Sequence, residues 1–146
     1  MTASLDLADP TTDPFEVAAA AAAVIAERTG APRHDVALVL GSGWGRTGDL
    51  IGQTLATIDN ADVPGFRKAA VEGHSGSMRS VAIGDTGKRA LVYGTRTHFY
   101  EGHGVRAVVH AVRTAAAAGC TSIVLTNGCG GLNPEWGPGT PVLIRD

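Results

Sequence analysis

Two apolar runs, KRALVY at residues 88–93 and TSIVLT at residues 121–126, are separated by a loop and a stretch with helical periodicity. Within residues 105–118, apolar side chains recur at Val105, Val108, Val109, Val112 and Ala116. That spacing marks one face of an amphipathic helix, and Gly119 stands where a helix would end. A strand, a helix and a second strand at this spacing make a crossover, which joins parallel strands and runs right-handed. The expectation is an α/β protein, with ligands met beyond the carboxyl ends of its strands.

Other segments fit the same architecture. Residues 35–40, DVALVL, form a short aliphatic and β-branched run of the kind buried on both faces of a sheet. MRSVAI and KRALVY flank Gly84-Asp85-Thr86-Gly87, which predicts a hairpin. Near the amino end, Asp13, Pro14 and Glu16 provide a cap, a first-turn proline and a capping-box acid, and Gly30 and Pro32 close the helix. The alanines at 18–23 therefore belong to a helix and not to a secretory leader, since Asp6, Asp9, Asp13 and Glu16 occupy the region where a leader carries positive charge. No apolar stretch reaches membrane-spanning length.

Composition excludes some classes of partner. The formal net charge of -2 offers no basic field for nucleic acid. Twenty scattered glycines indicate many tight loops. Two cysteines, Cys120 and Cys129, are too few for a disulfide framework, which fits a cytoplasmic protein. With 146 residues there is one domain's worth of chain.

Three distinctive stretches follow predicted strands: LGSGWG at 40–45, TRTHFYEGH at 95–103 and NGCGG at 127–131. A fourth, GHSG at 73–76, precedes the hairpin. LGSGWG fails three familiar patterns. Arg46 and Thr47 do not provide a P-loop lysine at the right distance, Arg46 stands where a dinucleotide fingerprint needs glycine, and Leu40 stands where a nucleophile elbow needs one. What remains is either a plain turn or a glycine loop whose Ser42 hydroxyl and nearby amides donate to an anion.

If TRTHFYEG is extended, Arg96, His98 and Tyr100 share one face, a row of donors suited to phosphate or a phosphate-and-sugar ligand. The alternative is structural, with Arg96 paired to Glu101 or Asp85. The offset between His98 and His103 is not that of a HExxH site, so no metal is expected. Cys129 reads as a small buried residue and not as a nucleophile.

LGSGWG, GHSG, RTHFYEGH and TNGCGGLNP, in this order and at these separations, together resemble the trimeric purine nucleoside phosphorylases. The resemblance runs from the first helix to the last residue. It implies the phosphorylase fold, a mixed and largely parallel β-sheet flanked by helices. It further implies phosphate bound by Ser42, His74, Arg96, Thr97, His98 and Gly128, with Tyr100 against the ribose and Asn127 between sugar and phosphate. The implied reaction is phosphorolysis of inosine- or guanosine-type nucleosides, with inorganic phosphate as co-substrate, no other cofactor, and a homotrimer in the cytoplasm. Two alternatives stay open: a methylthioadenosine phosphorylase, from which Gly41-Ser42-Gly43 departs, and a non-catalytic phosphate- or nucleoside-binding module. Gly128-Cys129 stands where the family usually has two alanines; both replacements are small, and the backbone N–H at Gly128 remains available.

The closing run PVLIRD reads as a strand with nothing to cover it. The family's purine-holding glutamate and asparagine belong to a portion of chain after such a run. Residues 1–146 are therefore expected to be a single partial domain, an amino-terminal portion of a chain about twice as long, incomplete at its carboxyl end and inactive alone.

Overall fold

The computed structural model describes residues 5–41, 43–67 and 76–145. Helix α1 (Pro14–Thr29) starts where Asp13 accepts a hydrogen bond from the Phe15 amide and ends at Gly30 in the left-handed conformation, φ 62°. The strands are β1 (Val36–Val39), β2 (Gly52–Asp59), β3 (Ser77–Ile83), β4 (Arg89–Tyr93) and β5 (Ser122–Leu125). Helix α2 (Thr47–Ile51) precedes β2, and α3 (Gly104–Val108) and α4 (His110–Ala117) lie between β4 and β5.

One mixed sheet results, in the order β2-β3-β4-β1-β5. β1 pairs in parallel with both β4 and β5, whereas β2–β3 and β3–β4 are antiparallel. The predicted crossover therefore joins β4 to β5 with β1 inserted between them. The hairpin forms as expected. β2 has no counterpart in the sequence reading; its mostly exposed residues give little apolar alternation to detect.

Helices α1 and α4 cover one face of the sheet. Ala21, Ala22 and Ile25 of α1 and Ala115 of α4 pack there with Ala37, Val39, Met78, Leu91 and Tyr93. Alanine at the contact lets the helix lie close to the strands while keeping high helical propensity. The opposite face is smaller, with Leu40, Val81, Ala90 and Val92 buried and Val36, Leu38, Ile51 and Ile83 only partly so. β1 is thus fully buried on one face and half-covered on the other.

Three expectations need correction. The single helix over 105–118 is two, because Val109 at φ -90° and ψ 1° leaves α geometry. The neighbouring His110 ring is pinned by tertiary contacts, its Nε2 lying 2.9 Å from the Pro64 carbonyl and its ring 4.7 Å from that of Phe66. Residues 141–145 of the closing run form no strand: Leu143 and Ile144 are exposed and pair with no described strand. Cys129 is exposed and not buried, since the loop after β5 lies on the surface.

Among the described residues no helix is long and apolar enough to cross a membrane. The amino-terminal segment is held instead by Arg106 of α3, whose two terminal nitrogens each donate at 2.7 Å, to the Asp9 and Thr12 carbonyls.

His34 and His110 are both 1% exposed. His34 Nε2 lies 2.9 Å from the Ser80 hydroxyl. Burial, the main cause in both, holds the two imidazoles below the ordinary histidine value of 6.5. The unfolded chain then takes up these protons first as pH falls, so stability is complete above about pH 6.5 and declines below it. Thermal melts of the complete protein should show a lower Tm at about pH 5.5 than at about pH 7.5. His110→Gln should lower Tm at the higher pH yet reduce the drop; an undiminished drop would remove His110 from the account.

Candidate anion site at the strand ends

The final register pairs of the parallel strands set Val39 against Tyr93 on one side and against Leu125 on the other. Three chain segments therefore leave the sheet at the same level and on the same edge. They are the glycine loop after β1, the segment after β4 and the loop after β5.

Thr126 joins them. Its amide and hydroxyl both donate to the Val39 carbonyl at 3.0 Å, and its hydroxyl oxygen accepts the Gly41 N–H at 3.0 Å. From the other side, Arg96 Nη1 donates to the Thr126 carbonyl. Gly41 lies beneath this bridge. A Cβ there would sit 2.8 Å from the Thr126 oxygen and 3.1 Å from Arg96 Nη2, so only glycine fits without displacing backbone. A fourth link crosses higher up, where the Trp44 indole N–H donates to the Asn127 carbonyl at 3.3 Å.

The segment after β4 is not extended throughout. His98 is extended, at φ -99° and ψ 150°, but Phe99–Glu101 forms a 3-10 turn. The turn carries a reciprocal cap in which Glu101 accepts the His98 amide at 2.8 Å. It is this turn, and not strand alternation, that gathers the predicted row. The Tyr100 ring stacks on His98, with centroids 4.8 Å apart and planes 18° from parallel. Arg96 Nε donates to His98 Nε2 over 3.4 Å. Nε2 then carries the lone pair, which puts the His98 proton on Nδ1, facing Glu101 Oε1 at 3.0 Å.

The charge arrangement follows. Glu101 is held below the usual carboxylate range, first by the His98 amide and then by the His98 ring. Its other oxygen lies 3.9 Å from His103 Nε2. Glu101 is thus spent on histidines. Among the described residues Arg96 has no carboxylate partner, contrary to pairing with Glu101 or Asp85. A half-buried guanidinium with one nitrogen tied to a carbonyl and Nη2 uncommitted is an anion donor.

Thr97 is half-buried, and Tyr100, Asn127 and Gly128 are exposed. None of Thr97, Asn127 and Gly128 spends a side-chain or amide donor on another described residue. Ser42 and His74 lie outside the described residues. Sequence reading missed Thr126, Trp44 and the role of Glu101. Of these, Glu101 alone had a local signal, the capping-box spacing of three from His98.

The sequence profile of the phosphorylase superfamily matches residues 35–146. The chain belongs to that superfamily. A purine nucleoside phosphorylase of Cellulomonas sp. is 57% identical over 96% of the chain, and that of Mycobacterium tuberculosis is 49% identical over 96%. The chain spans about half the length of these curated relatives, 51% and 52%. A purine nucleoside phosphorylase isoform of Schistosoma mansoni, crystallised with cytosine and ribose 1-phosphate, superposes with a TM-score of 0.70 at 27% identity, covering 84% of this chain and 43% of its own.

In this member of the phosphorylase superfamily, Gly41 is the tightest point of the site. Gly41→Ala must move the Thr126 carbonyl or the Arg96 fork, a forced repacking worth about 1–3 kcal/mol. Urea unfolding of the complete protein should show a loss of that size; wild-type stability would mean that the three segments are not so closely joined.

Proposed function

We propose that the protein carrying this chain is a purine nucleoside phosphorylase, cleaving inosine- or guanosine-type nucleosides with inorganic phosphate. The observation that carries the reading is the Arg96 fork, fixed by the Thr126 carbonyl and His98 and, among the described residues, without a carboxylate partner and with Nη2 unbonded above Gly41. The names of the relatives support it.

In this reading Arg96, His98, Thr97 and the Gly128 amide hold phosphate, joined by Ser42 and His74. Glu101 stands behind His98 and takes its Nδ1–H, which keeps Nε2 turned toward Arg96 and the arriving anion. A phosphate oxygen forms a bond to the anomeric carbon while the bond to the purine nitrogen breaks. The departing electron pair stays with the purine, which takes a proton, and the products are free base and ribose 1-phosphate. The transition state resembles an oxocarbenium ion, and an anion held against it lowers the barrier by positioning and by charge. Tyr100, stacked on His98, packs against the sugar, and Asn127 lies between sugar and phosphate. The reading includes a homotrimer in the cytoplasm with no cofactor beyond phosphate.

Arg96→Ala in the complete protein is expected to weaken phosphate by about 2–4 kcal/mol, the cost of removing a charged anchor from a site built around it. Nucleoside affinity should change far less. Calorimetry with phosphate and then inosine measures both, and product assay follows the reaction. Equal losses for the two ligands would remove Arg96 from the phosphate site. Phosphate binding without consumption of inosine would replace the enzyme by a binding module.

A further inference from the structure

We propose that Trp44 is a positioning residue, whose indole N–H fixes the direction in which the Gly128 amide is presented to phosphate. The inference rests on the phosphorolysis reading and adds a residue to its machinery. A trans peptide is planar, so its C=O and N–H point in opposite directions. The Asn127 carbonyl is taken by Trp44 Nε1 at 3.3 Å. The same peptide unit therefore aims the Gly128 N–H away from Trp44. That N–H bonds to no described residue and Gly128 is exposed, so the donor is available.

The peptide before it is held in the same way. Arg96 Nη1 takes the Thr126 carbonyl and so orients the Asn127 N–H. Two consecutive carbonyls of one loop are thus latched by side chains from two other loops. Glycine at 128 makes the second latch necessary, since a residue without Cβ leaves the peptide free to rotate. Trp44 is well placed to do this. Its own amide closes a turn to the Gly41 carbonyl at 3.1 Å, and its ring is 40% exposed, so the core does not depend on it.

Steady-state kinetics of the complete protein test the assignment. Trp44→Phe keeps an aromatic ring but removes the N–H. KM for phosphate should rise about three- to tenfold, the worth of one hydrogen bond, with kcat within about twofold and KM for inosine little changed. Adding Gly128→Ala should recover part of the loss, because a Cβ narrows the rotation that the latch had restrained. Equal rises in both KM values with no recovery by alanine would reduce Trp44 to a structural role and overturn the proposal. An unchanged phosphate KM in Trp44→Phe, beside a large rise in Arg96→Ala, would overturn it while leaving the phosphate site standing. If neither variant altered phosphate binding, the site reading would fall and this inference with it.

Discussion

The arrangement at the site depends on β1 lying between two parallel neighbours whose last paired residues are level with its own. Val39 is the common point: its carbonyl receives Thr126 from β5, while the Leu40 amide reaches back to the Tyr93 carbonyl of β4. Because β1 stops there, the residue next but one along, Gly41, is squeezed between the two outer segments. Arg96 can span from the β4 side to the Thr126 carbonyl only because the residue beneath it has no side chain. Sheet order thus selects glycine at that position. The glycine in turn permits a cation to lie across the strand end.

The sheet's inner strands were legible in the sequence because burial on one or both faces leaves continuous apolar runs, as in VALV and RALVY. The edge was not, since β2 presents mostly exposed residues and gains its identity from pairing with β3. At the site, residue types pointed to the chemistry, and Arg96, His98 and Tyr100 do meet. The means of their meeting was misjudged. A 3-10 turn capped by Glu101 replaces the extended segment, and local alternation could not reveal it. The links through Thr126 and Trp44 were beyond any local pattern, joining residues 85 and 83 positions apart.

Charge is concentrated where the chain as a whole is nearly neutral. A net charge of -2 gives no long-range attraction for a polyanion. Locally, Glu101 is consumed by the His98 amide and ring and lies near His103, which leaves Arg96 without a carboxylate partner among the described residues. Such a site favours a compact anion that reaches several donors at once over an extended one. This is a matter of geometry as much as of charge, because the candidate donors Arg96, Thr97, His98 and the Gly128 amide belong to two segments that leave the same end of the sheet.

Arg96 serves two purposes, and the site is hard to dissect for that reason. Its Nη1 supports the loop after β5, while its Nη2 bonds to none of the described residues. Removing it loosens the Thr126 peptide and deletes a donor together, so the loss on Arg96→Ala combines the two effects. Trp44 differs in kind: it supports the next peptide of the same loop and is not itself among the donors assigned to phosphate. A site assembled from glycine-rich loops obtains little rigidity from its own backbone, and each glycine adds freedom that binding would otherwise have to remove. Side chains that grip carbonyls remove that freedom during folding, turning the opposite amides outward before any ligand arrives.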